Sequence, residues 1–130
     1  GGWVGQFLGV LGWVAFEVLF VGLAHIVSRQ EAMSFGSGIP EVRCELQGTH
    51  LKHYYSKAVF LAKTMGLMLA ETAGLPVGKE GPFVHISSIV SMGLLRTRLF
   101  NKARLLPDYI RIVLLASAAS ATCSTFGVPI

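Results

Sequence analysis

The sequence predicts an all-α, multi-pass membrane protein, on three observations. Of 130 residues, 52% are hydrophobic and only 14% are charged, a charged fraction well below that of soluble domains. An apolar stretch at 3–27 is long enough to cross a hydrocarbon core of about 30 Å. The later apolar segments are bounded or interrupted by Gly/Pro turns, the pattern of discontinuous helices that meet near the bilayer midplane. Length allows one domain, 1–130, beginning Gly1-Gly2-Trp3 and stopping at Gly127-Val128-Pro129-Ile130 inside an apolar stretch. The chain is therefore expected to be part of a larger membrane domain, truncated at both ends.

The first element is the spanning helix 3–27. Gly1, Gly5 and Gly9 recur at four-residue intervals on one face, which suits close packing on another helix, and Glu17 is expected to face protein or water. After a polar, glycine-rich stretch from Ser28 to Gly38, Pro40 marks a first helical turn, so a short helix is expected at 39–47. Gly48 to Lys57 reads as a connecting or interfacial segment. It holds His50 and His53, but no third metal ligand accompanies them. Cys44 and Cys123 have neither a CxxC spacing nor a His partner, so they are read as free thiols and no metal is expected.

A second spanning helix is expected at 58–77, containing Lys63 and Glu71 and broken at Gly74-Leu75-Pro76. A half-helix is expected at 82–95, too short to cross alone, and the Ala-, Ser- and Thr-rich helix at 110–126 is expected to share that limit. Arg29, Arg43, Lys52 and Lys57 lie between the first two spans, and Arg96, Arg98, Lys102 and Arg104 follow the third segment. Both groups are placed in the cytoplasm and the turn at 78–82 on the outer side. The net charge of +4 is then accounted for by topology and lipid head groups, with no nucleic-acid partner.

Two turns carry the chemistry. Phe35-Gly36-Ser37-Gly38-Ile39-Pro40 sets glycines beside a serine where a helix is about to start, so backbone N–H groups there, at Gly38 and Ile39, are approachable by an anion. The helix N-terminus adds partial positive charge, and the Ser37 hydroxyl adds one hydrogen bond without a full cation. Such weak, multi-point binding is what conduction requires. Gly78-Lys79-Glu80-Gly81-Pro82 repeats the design with its own anion. The Glu80 carboxylate is expected to sit on the N–H groups of its own helix start, in the place of a bound anion, until protonation or an incoming ion displaces it. A P-loop is excluded, because the spacing before Gly78-Lys79 is too short and Glu80 stands where Ser or Thr would hold magnesium.

Together these turns resemble the CLC family of chloride channels and chloride/proton exchangers over essentially the whole chain. The family's first filter motif, GSGIP followed by Glu, stands as Gly36-Ser37-Gly38-Ile39-Pro40-Glu41, and its second, G(K/R)EGP, as Gly78-Lys79-Glu80-Gly81-Pro82. Lys63 is similar in place to a family lysine, and Phe126-Gly127-Val128-Pro129-Ile130 to its F-G-A-P-L/I turn, with Val128 for the commoner alanine. The resemblance implies a CLC-type fold of broken and tilted transmembrane helices, here part of the first of two inverted repeats, in a homodimer with one pore per subunit. It further implies that Ser37 coordinates chloride with its hydroxyl and that Glu80 is the gate, also a proton acceptor in exchangers. Lys79 and Gly81 would lend N–H groups to an outer site. Ser37 rather than Pro in the first motif implies preference for chloride over nitrate.

The expected function is chloride transport through a glutamate-gated pore, of voltage-gated channel type, with chloride as the transported ligand and no cofactor. The alternative is a chloride/proton antiporter on the same fold. Phe83-Val84-His85-Ile86 resembles channel-type animal members, whereas Ala116-Ser117-Ala118-Ala119-Ser120-Ala121 is more similar to intracellular exchangers. A membrane enzyme pairing Glu80 with His85 is disfavoured, since five residues separate them and no nucleophile or metal set accompanies them. A non-conducting scaffold would explain the small residues but not the two glycine turns.

Overall fold

A computed structural model describes residues 2–49, 51, 53–97, 100 and 107–128. The expectations placed on Gly1, His50, Lys52, Arg98, Lys102, Arg104, Pro129 and Ile130 lie outside the described residues. Among the described residues the architecture is all-helical: α1 (Gly2–Gln30), a 3-10 turn (Ala32–Ser34), α2 (Ile39–Leu46), α3 (Lys57–Thr72), α4 (Glu80–Leu95) and α5 (Pro107–Phe126).

α1 is uninterrupted because no proline breaks its hydrogen-bond ladder over 29 residues, about 43 Å at 1.5 Å per residue. It is apolar all round, and Ala24 is its buried residue. Within it the Trp13 indole N–H donates to the Glu17 carboxylate one turn on, so the acid has a partner on its own helix. Gly5 and Gly9, expected at a helix contact, have no other part of the described chain within 4 Å of the space a side chain would fill.

α3 starts where Ser56, in extended conformation, accepts a hydrogen bond from the Val59 N–H at 3.2 Å, satisfying one of the orphan donors of the first turn. It ends at Thr72 rather than at 77 as expected. Gly74 takes φ 71°, and the Leu75 and Gly74 amides bond back to the Ala70 and Glu71 carbonyls at 3.1 and 3.0 Å, a left-handed helix stop that glycine permits. Its 16 residues cover about 24 Å, short of the hydrocarbon core. α5 shows the opposite correction. It begins at Pro107, three residues before the expected start, and reaches 20 residues. Among the described residues, the two helices long and apolar enough to cross a membrane are thus α1 and Asp108–Phe126 of α5.

α1 packs on α3 and α4 on α5, while α2 and α3 both touch α4. The central cluster includes Val42, Tyr54, Tyr55, Val59, Val84, Ile89 and Leu114. The segment read as connecting or interfacial does connect α2 to α3, but its Tyr54 and Tyr55 are buried, 1% and 7% exposed. Their rings meet edge to face at 5.1 Å, and the apolar area of two aromatic rings is large enough to turn an otherwise polar loop inward.

Candidate functional site

The first glycine turn is built by backbone conformation. Gly36 and Gly38 take φ 76° and 87°, in the left-handed region that side chains disfavour. Between them Ser37 is exposed, and its oxygen accepts from the Ile39 N–H at 3.3 Å, leaving the hydroxyl proton for an outside acceptor. The first hydrogen bond of α2 runs from the Val42 N–H to the Gly38 carbonyl at 3.1 Å. The N–H groups of Gly38, Ile39 and Glu41 precede it, and Pro40 has none to give.

The second turn opens α4 two residues earlier than expected, at Glu80 rather than 82. The Phe83 N–H bonds to the Lys79 carbonyl at 3.0 Å, which puts Glu80 and Gly81 in the first turn, where N–H groups lack intrahelical partners and negative charge is favoured. Glu80 is half-buried and Lys79 and Gly78 are exposed. The Glu80 carboxylate folds back toward the helix start, so that a side chain on Gly78 would begin 2.9 Å from its Oε2.

The two turns meet. A Cβ on Gly81 would fall 2.8 Å from both the Ser37 Cα and the Ser37 carbonyl oxygen, so the backbones of the two motifs touch only because residue 81 has no side chain. Gly81 and Pro82 are buried at this junction, while Ile39 and Pro40 are exposed at the start of α2. Two helix N-termini and one serine hydroxyl therefore share a small region, an arrangement that attracts an anion from backbone dipoles. No cluster of metal-ligating side chains exists among the described residues.

Three side chains behind the turns complete the site, and composition and spacing had assigned none of them to it. Lys63, 5% exposed on α3, donates to the Gly36 carbonyl at 2.6 Å. The Tyr54 hydroxyl donates to the Gly38 carbonyl at 3.0 Å. His85 on α4 is fully buried and stacks on the Tyr54 ring at 3.9 Å, with planes 8° apart. Its Nε2 lies 3.3 Å from the Tyr54 carbonyl oxygen, and its Cβ would be 2.6 Å from a Cβ on Gly38. Burial, reinforced by the Glu41 and Tyr55 charges, pushes the Tyr54 phenol far above its ordinary value, and burial beside Glu45 does the same to Tyr55. Both hydroxyls stay protonated. The one trace of Tyr54 in the sequence is an aromatic pair just before the Ser56 cap.

A model of the family described as voltage gated chloride channel matches residues 18–130. A chloride channel protein of Torpedo marmorata is 40% identical over 126 residues, covering 92% of this chain and 15% of its own length. The chloride channel protein clh-3 of Caenorhabditis elegans is 37% identical over 130 residues, 98% of this chain and 12% of the relative. Human chloride channel protein 1 is 38% identical over 125 residues, 92% of this chain and 12% of the relative. The chain spans about an eighth of the length of these relatives.

Proposed function

The chain belongs to the voltage gated chloride channel family, and on that premise we propose that it supplies the ion-binding turns of a chloride-conducting pore in an integral membrane protein. The observation that carries this reading is the contact between the Ser37 and Gly81 backbones, which brings two helix starts to one place. Partial positive charge from both, with the Ser37 hydroxyl, binds a chloride without trapping it. Glu80, whose carboxylate lies at its own helix start, competes with the ion for the same donors and acts as the gate. Lys79 and Gly81 lend backbone N–H groups on the outer side, and Gly38 on the inner side, with the Ile39 N–H reaching the ion when it leaves the Ser37 oxygen. The work is transport, without a cofactor or a catalytic group, and the full-length protein is proposed to be a homodimer.

The test is the reversal potential of the full-length protein in a chloride gradient, with and without an opposing pH gradient, for the native sequence and for Glu80→Gln. A potential set by chloride alone, with currents in Glu80→Gln that no longer respond to the gating stimulus, is the channel outcome expected here. A potential displaced by the pH gradient, and no longer displaced in Glu80→Gln, assigns the antiporter instead. Unaltered transport in both Glu80→Gln and Ser37→Ala would remove the pore assignment.

A further inference from the structure

A glycine at positive φ turns easily, and a rotation of the peptide plane that follows it exchanges a carbonyl for an amide on the face it presents. At an anion site the exchange reverses the local dipole, replacing a donor by an acceptor that repels the ion. The turn from Gly36 to Gly38 has two such glycines, and so it needs something to hold each carbonyl away from the ion. The structure supplies a side-chain donor for each: Lys63 Nζ for the Gly36 carbonyl at 2.6 Å and, beside the Val42 N–H that opens α2, the Tyr54 hydroxyl for the Gly38 carbonyl at 3.0 Å.

We propose that Tyr54 is a positioning residue for the anion site: its hydroxyl, held by stacking on His85, fixes the Gly38 carbonyl so that the amides of the turn face the ion. This rests on the chloride reading above. The clamp is rigid for identifiable reasons. The Tyr54 ring is 1% exposed, lies flat on His85 at 3.9 Å, and is tied to it again where His85 Nε2 meets the Tyr54 carbonyl oxygen at 3.3 Å. His85 in turn closes on Gly38 where no Cβ exists. Tyr54 therefore joins the loop before α3, the start of α2 and the body of α4 at one carbonyl. Lys63 performs the matching task at Gly36 but also brings charge, so its replacement changes two things at once. Tyr54 isolates the effect of peptide orientation.

The experiment is chloride flux and anion selectivity of the full-length protein in Tyr54→Phe, with Tyr55→Phe as the comparison. The Tyr55 hydroxyl is buried without a hydrogen-bond partner among the described residues, so its loss leaves transport unchanged. Tyr54→Phe keeps the stack and loses only the bond. It is expected to weaken apparent chloride affinity roughly three- to tenfold and to narrow the preference for chloride over larger anions, at native surface expression. Native affinity and selectivity in Tyr54→Phe overturn the proposal, as does an equal loss in Tyr55→Phe, which would trace the effect to removing a buried hydroxyl rather than to the Gly38 bond. Should Tyr54→Phe fail to reach the membrane, 3,5-difluorotyrosine at position 54 makes a stronger donor in the same space. Tighter chloride binding then supports the clamp, and unchanged binding overturns it. Absence of chloride flux from the native protein sinks the chloride reading, and the clamp with it, whereas native flux that is indifferent to Tyr54 sinks the clamp alone.

Discussion

Two glycines of the site serve different physical needs. Gly36 takes φ 76° with open space around it, so an alanine there strains the backbone by about 1 kcal/mol and displaces nothing. Gly81 has no positive φ to justify it, but its missing Cβ is where the Ser37 backbone lies, 2.8 Å away. Gly81→Ala forces the two turns apart, at a cost of about 1–3 kcal/mol for an overpacked contact. The expected result in the full-length protein is a lower melting temperature and a larger loss of chloride flux for Gly81→Ala than for Gly36→Ala. Equal effects of the two substitutions would mean that the motifs do not touch there. The glycines themselves were legible in the sequence as turn formers, but the identity of the atom that excludes a side chain at Gly81 was not, because Ser37 lies more than forty residues earlier in the chain.

At the scale of elements, the helix boundaries follow local chemistry once caps are considered. Ser56 opens α3, and the left-handed Gly74 closes it, so that the helix ends at Thr72, five residues before the apolar composition ends. Hydropathy saw the apolar run as far as Val77, but a helix stops where its carbonyls find other donors, not where its side chains become polar. Ser56→Ala is expected to lower the unfolding free energy of the detergent-solubilised full-length protein by about 1 kcal/mol, and Ser56→Asp to retain most of it. An unchanged melting temperature in Ser56→Ala would show that the cap contributes nothing. The early start of α4 matters more for function. Beginning at Glu80 rather than Pro82, the helix takes the proposed gate into its own first turn, where the dipole acts on it most strongly.

At the scale of the molecule, α1 exposes most of its apolar surface, with Trp3 at 89% and Phe7 at 65%, and Ser37 and Lys79, one on each turn, are open to their surroundings. An ion in transit needs donors on every side, so residues 1–130 alone, reconstituted in vesicles, are expected to give no chloride flux above the protein-free background, while the full-length protein does. Flux from this piece alone would overturn that expectation. The sequence by itself determined the helical membrane class, the two glycine turns and that a helix starts at each, because these depend on hydropathy and on residues adjacent in the chain. Only the tertiary structure decided that Ser37 meets Gly81 and that Lys63 and Tyr54 hold the Gly36 and Gly38 carbonyls. Each of those contacts joins residues on different elements. Its strength comes from burial and from the absence of a side chain at one point, and no periodicity in the sequence records either.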